Sequence, residues 1–281
     1  MWRTQLALDD YDTDKIPGRL LERYDPILQP WVDKPVKLLE IGIHKGGSLL
    51  LWRDYFPLGT IVGIDINPPK EFSPGERIRV FEGSQADRRF LSEVANTVAP
   101  EGFDIIIDDA SHIAELTRTS FWHLFDNHLK PGGLYVIEDW GTGYFDDWPD
   151  GKSVPLKPAA QSGFQNVMSV MYQKYQRLRV FGVKHHLVPV PPTAHQAPPS
   201  PFLAHSLLAV SSLLSFLKTP SQCHSFGMVG FVKELVDEQG AADLTRRLLD
   251  NPPERQSRFE SLLIMPSIVF VRKSEQTRLK S

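Results

Sequence analysis

Between Val36 and Trp148, short apolar runs alternate with segments whose apolar residues recur at helical spacing. "VKLLEIGI" (Val36–Ile43), "TIVGIDI" (Thr60–Ile66), "IRVFEGS" (Ile78–Ser84), "FDIIID" (Phe103–Asp108) and "LYVIED" (Leu134–Asp139) read as strands. They are too continuously apolar for a sheet with one wet face. "GGSLLLWRDYF" and "DRRFLSEVANTV" read as helices, the second with Leu91, Val94 and Val98 on one face. "LTRTSFWHLFDNHLK" is a further helix, with Pro131-Gly132-Gly133 as its stop signal. This alternation predicts a parallel sheet covered by helices on both faces. Near the end, "GMVGFVKELVDEQG" is an amphipathic helix stopped by Gly240, and "SLLIM" and "SIVFVRK" are short strands divided by Pro266. The expected fold is α/β: a Rossmann-like, doubly wound, mostly parallel seven-stranded sheet with an antiparallel edge strand.

The pattern lapses after Gly141, where prolines crowd "LVPVPPTAHQAPPSP". Residues 150–221 are expected to be an insertion of helix and loop that serves as a lid or wall of a substrate site. Residues 36–149 and 222–275 then form the core, and residues 1–35 an N-terminal cap segment. Composition narrows the class. With 41% apolar and 23% charged residues, the chain is a globular protein with a real core. A net charge of −3 gives no reason to expect nucleic acid or a membrane surface as partner. Cys223 is alone, so no disulfide forms within the chain. The N-terminus lacks an apolar leader, and "HSLLAVSSLLSFLK" is too short to span a bilayer. A cytoplasmic protein is expected, and nothing in the sequence excludes a homo-oligomer.

The chemistry gathers at the strand ends. "EIGIHKGGS" follows the first strand and opens a helix. Gly42 permits a tight turn, Gly46 and Gly47 let a ligand approach the backbone, and the helix N-terminus favours a negative group. The spacing from Glu40 through Gly42 to Gly46 is not the dinucleotide fingerprint, because Ile43-His44 replaces its second glycine. Asp65 ends the second strand about 20 residues on, where a carboxylate can accept both ribose hydroxyls. Gln85, after the third strand, can meet an adenine edge. Together these groups describe a nucleoside site at the carboxyl edge of the sheet.

Two acidic ends lie beside it: Asp108-Asp109 after the fourth strand and Glu138-Asp139 after the fifth. Neighbouring strands are about 4.8 Å apart, so four carboxylates converge and repel. Neither motif contains a lysine or arginine to offset them. All-oxygen ligands suit Mg²⁺ or Mn²⁺ rather than zinc.

With these residues in view, the chain resembles the class I S-adenosylmethionine-dependent methyltransferases. It is most similar to the metal-dependent, mycinamicin-type sugar O-methyltransferases of macrolide biosynthesis, and also to cephalosporin-hydroxylase-like proteins. The pieces that carry the resemblance are "DTDK" (Asp12–Lys15), "LLEIGIHKGGSLLLW", "IVGIDI", "IDDASH", "GGLYVIEDW" and "PSIVFVRK". The resemblance implies S-adenosylmethionine as cofactor, with Glu40, Gly42, Gly46, Ser48, Asp65, Gln85 and Asp108 around it. Ser48 would hold its methionine carboxylate. It implies Asp109, Glu138 and Asp139 as ligands of Mg²⁺ or Mn²⁺, and His112 as the general base, with Asp109 the rival for that role. The acceptor would be a small hydroxylated molecule, a sugar or glycosylated natural product. Three other readings compete: a catechol or phenol O-methyltransferase, an NAD(P)-dependent oxidoreductase, and a non-catalytic nucleoside-binding protein.

Overall fold

The structure is a computed structural model that describes residues 6–153, 224–246 and 251–275. The expected insertion, from residue 154 on, lies outside the described residues. The strands are β1 (Lys37–Ile41), β2 (Thr60–Asp65), β3 (Ile78–Glu82), β4 (Phe103–Asp108), β5 (Leu129–Glu138), β6 (Phe259–Met265) and β7 (Ile268–Lys273). The helices are α1 (Leu20–Leu28), α2 (Gly47–Tyr55), α3 (Arg88–Val98), α4 (Ala114–Asn127), α5 (Gly227–Gln239) and the short α6 (Ala241–Leu244).

All seven strands form one sheet in the order β3-β2-β1-β4-β5-β7-β6. β1 to β5 pair in parallel, and β7 runs antiparallel to both of its neighbours. The strand that opposes the rest therefore lies one place in from the edge, and β6 closes the sheet outside it. β5 begins earlier than "LYVIED" suggests. Leu129 already pairs with Phe103, and the register then jumps to Ile105 opposite Leu134. Pro131 has no N–H to donate and Gly132 has φ +71°, so the residues expected to stop a helix instead kink a strand.

The apolar strands are buried on both faces because alternate residues serve different cores. Leu39, Ile41 and Ile106 pack with α3, α4 and α5 on one side. Leu38, Ile105 and Ile107 pack with α1 and α2 on the other. Ile105, Ile106 and Ile107 are fully buried, and each contributes about 1.5–3 kcal/mol. The end of β4 is thus a fixed platform. It adjoins the end of β1, where the strand order reverses, which is where doubly wound sheets bind ligands.

The same alternation sorts the carboxylates. Asp108 continues the Ile106 face towards α4, while Glu40 and Glu138 continue the faces of Leu38 and Val136 towards α1 and α2. α1 docks there through Tyr24, whose ring meets Trp52 at 5.0 Å and Phe270 at 5.5 Å, both edge-on.

Candidate active site

A cleft of about 490 Å³ opens at the carboxyl edge of the sheet over β1 and β4. Gly42, Ser48, Asp109, His112 and Asp139 line it, together with Asp12 and Asp14 of the N-terminal segment. One ligand atom each from Asp109, His112 and Asp139 falls within 4.8 Å of the others. The His112 Nε2 is 3.9 Å from both Asp109 Oδ1 and Asp139 Oδ2.

Two of these three residues are held in left-handed backbone, His112 with φ +50° and Asp139 with φ +51°. Non-glycine residues adopt that region at a cost, and such residues cluster at working sites. Local bonds hold each of them. The His112 carbonyl accepts from Trp148 Nε1 at 2.9 Å and from Thr142 Oγ1 at 3.3 Å. The Asp139 N–H donates to the Ser267 carbonyl at 2.7 Å, in the turn between β6 and β7.

Beneath the cleft, Lys15 is fully buried. Its ammonium lies 2.6 Å from Asp109 Oδ2, 3.0 Å from Glu138 Oε1 and 3.3 Å from Glu40 Oε1. The positive charge that the acidic motifs lack thus comes from the far N-terminal "DTDK". Burial alone would lower the Lys15 pKa, but Glu138, Asp109 and Glu40 outweigh it and hold the lysine well above its ordinary value. One ammonium cannot satisfy three carboxylates. Burial, reinforced by Asp109 and opposed by Lys15, pushes Glu138 up to about 8. Asp139 is raised too, first by burial, with His112 pulling the other way.

The arrangement still fits a divalent cation. Glu40, Asp109, Glu138 and Asp139, if ionised, leave three negative charges after Lys15 is counted. Glu138 is fully buried, yet its Oε2 has no hydrogen-bond partner among the described residues. Oxygen donors with at most one imidazole suit Mg²⁺ or Mn²⁺.

The remaining predicted residues are placed differently from one another. Glu40 is buried below the glycine turn and accepts from Ser48 Oγ at 2.8 Å and from Trp52 Nε1 at 3.3 Å. Asp65 accepts from the Ile43 N–H at 2.8 Å and the Asn67 N–H at 2.7 Å, so it binds the glycine turn to β2. Asp108 turns away from the cleft into a buried network. It accepts from Ser120 Oγ at 2.6 Å and Tyr135 OH at 3.1 Å, and burial raises it to about 6. Gln85 joins that network, 3.3 Å from Asp108, and its Oε1 accepts from the Ser111 N–H at 3.2 Å. It therefore braces the turn that carries His112. The glycines serve the protein's own packing. A Cβ on Gly42 would lie 2.1 Å from the Asp109 carbonyl oxygen, one on Gly46 2.4 Å from the Phe72 ring, and one on Gly47 2.1 Å from the Asp12 carbonyl oxygen.

Lys15, Tyr24, Thr142 and the bond from Trp148 are the functional features that the sequence reading did not assign. The strand alternation could have shown Glu40 and Glu138 sharing a face that needs a cation.

No protein-family model matches the chain. Over 133 residues it is 45% identical to mycinamicin VI 2''-O-methyltransferase from Micromonospora griseorubida, covering 45% of this chain and 32% of that protein. Over 176 residues it is 38% identical to L-olivosyl-oleandolide 3-O-methyltransferase from Streptomyces antibioticus, covering 58% of this chain and 45% of that protein. The chain is also 45% identical over 133 residues to demethylmacrocin O-methyltransferase from Streptomyces fradiae, covering 45% of this chain and 32% of that protein. Among solved structures, MycE methyltransferase from the mycinamycin biosynthetic pathway, in complex with Mg and SAH, aligns with a TM-score of 0.57 at 27% identity. The alignment covers 92% of this chain and 49% of that one. The mixed seven-stranded sheet is accordingly the Rossmann-like fold of class I methyltransferases. The chain spans about half, or less, of the length of the relatives it matches. Among the described residues no helix is long and apolar enough to cross a membrane.

Proposed function

We propose that the chain is an S-adenosylmethionine-dependent, divalent-metal-dependent O-methyltransferase acting on a hydroxyl of a sugar in a glycosylated natural product. One observation carries the reading: Asp109, His112 and Asp139 converge within 4.8 Å at the carboxyl edge of a methyltransferase sheet. When bound, the cofactor supplies a methyl group on a sulfonium, and the cation supplies a Lewis acid that makes a hydroxyl more acidic. The chain's own residues do the rest. Asp109, Glu138 and Asp139 hold the cation. His112, on its strained turn, accepts the proton of the acceptor hydroxyl at Nε2. Gly42, Gly46, Ser48 and Asp65 shape the cofactor's seat, with Asp65 retaining lone pairs for ribose hydroxyls. Glu40, Asp108 and Gln85 support these parts from within. The cleft orients both reactants, which lowers the barrier by proximity.

The sugar acceptor is favoured over a phenol by the relatives, several of which are named for rhamnosyl or olivosyl substrates. The test is methyl transfer from S-adenosylmethionine with Mg²⁺ present, against a panel of glycosylated macrolides and polyketides beside catechols. Mass spectrometry should find one added CH₂ on a sugar, with stoichiometric S-adenosylhomocysteine. Transfer to catechols alone, or tight NAD binding without any transfer, would overturn the reading.

A further inference from the structure

Lys15 makes this site more than a cluster of carboxylates. The Lys15 ammonium donates a hydrogen bond to Asp109 Oδ2 at 2.6 Å and forms ion pairs with one oxygen each of Glu138, at 3.0 Å, and Glu40, at 3.3 Å. The Tyr24 hydroxyl donates to the same Glu138 Oε1 at 2.5 Å. What is left over is defined atom by atom. Asp109 keeps Oδ1, which faces His112. Glu138 keeps Oε2, fully buried and without a partner among the described residues. A carboxylate oxygen that already faces an ammonium is the poorer donor to a metal, so each of these carboxylates offers chiefly its other oxygen.

That restriction discriminates between cations. Mg²⁺ requires a near-ideal octahedron at about 2.0–2.1 Å, while Ca²⁺ takes six to eight oxygens at about 2.3–2.6 Å and often binds a carboxylate through both. We infer that Lys15 is a positioning residue that selects the ion: by occupying one oxygen of Asp109 and one of Glu138, it favours Mg²⁺ over Ca²⁺. The inference rests on the cation reading of the proposed function and adds to it an ion preference set by a residue of the N-terminal segment.

The experiment is calorimetric titration of the full chain with Mg²⁺ and, separately, with Ca²⁺, in wild type and Lys15→Met. The quantity read is the ratio of the two affinities. Removing a positive charge should raise both affinities together, and partial loss of fold should lower both together. Only release of the second oxygens moves the ratio. It is expected to fall at least tenfold in Lys15→Met, with Ca²⁺ gaining on Mg²⁺. Tyr24→Phe removes the hydrogen bond to Glu138 Oε1 and leaves only the Lys15 ion pair on that oxygen, so it should lower the ratio by a smaller factor, about threefold; it decides the matter if circular dichroism finds Lys15→Met unfolded. An unchanged ratio in the folded variant overturns this inference and leaves the proposed function standing. A wild type that binds neither cation overturns both.

Discussion

His112 is held by its backbone, and its ring makes no hydrogen bond among the described residues, which is what a base needs. Replacing it with alanine should leave Mg²⁺ affinity within about twofold and lower turnover by about 10²–10⁴-fold, the usual worth of a positioned base. Calorimetry on the same preparation separates this from a ligand role, in which metal affinity would collapse along with the rate. Asp108 invites a different measurement. Its carboxyl is raised by burial from an ordinary 3.8 to about 6. The native state therefore holds the proton more tightly than the unfolded chain. Stability is unaffected by this group below about pH 4, falls as pH rises from 4 to 6, and above 6 bears a cost on the order of 3 kcal/mol. Asp108→Asn keeps an acceptor for Gln85 and gains donors for Ser120 and Tyr135. It should raise the melting temperature at pH 8, with the gain vanishing near pH 4. A gain independent of pH would mean that the carboxylate is not strained.

At the scale of elements, the turn from β4 into α4 is the working part, and it is braced from three directions. Gln85 supports Ser111, Trp148 and Thr142 hold the His112 carbonyl, and Asp150 caps the first turn of α4 through the Ala114 N–H at 2.8 Å. Trp148→Phe removes one neutral hydrogen bond, worth about 1 kcal/mol. It should lower turnover about fivefold while leaving S-adenosylhomocysteine affinity intact; equal loss of both would make Trp148 a general packing residue. Much of this level was legible in the sequence. Three isoleucines bounded by acids describe a buried strand ending at a site, because only a two-sided sheet explains them. What was not legible is which way each acid points. Asp108 and Asp109 are adjacent in sequence and belong to opposite faces, and Gly46 and Gly47, read as letting a ligand approach, also abut the ring of Phe72 and the backbone of Asp12.

For the molecule as a whole, the acidic site stores unfavourable charge in the folded state. Ligands that relieve it should stabilise the fold. With Mg²⁺ at about 100 times its dissociation constant, linkage contributes about 2.7 kcal/mol. For a domain of this size that is a rise of roughly 5–10 °C in melting temperature. Thermal denaturation with Mg²⁺ and then with excess chelator checks it, and identical transitions would count against the metal. The mostly parallel sheet and its layers followed from local patterns, but the origin of the site's lysine did not. Lys15 lies 94 residues before Asp109, and no periodicity links positions that far apart. The separation also fixes an order of events in time. A ribosome adds roughly 5–20 residues per second, so Lys15 is added about 5–20 s before Asp109, and Glu138 comes later still. Through that interval its ammonium stays in water, and the segment bearing it cannot take its final place. The site therefore closes late in synthesis, and a chain stalled before β5 should leave Lys15 open to amine-reactive labelling that the finished protein resists.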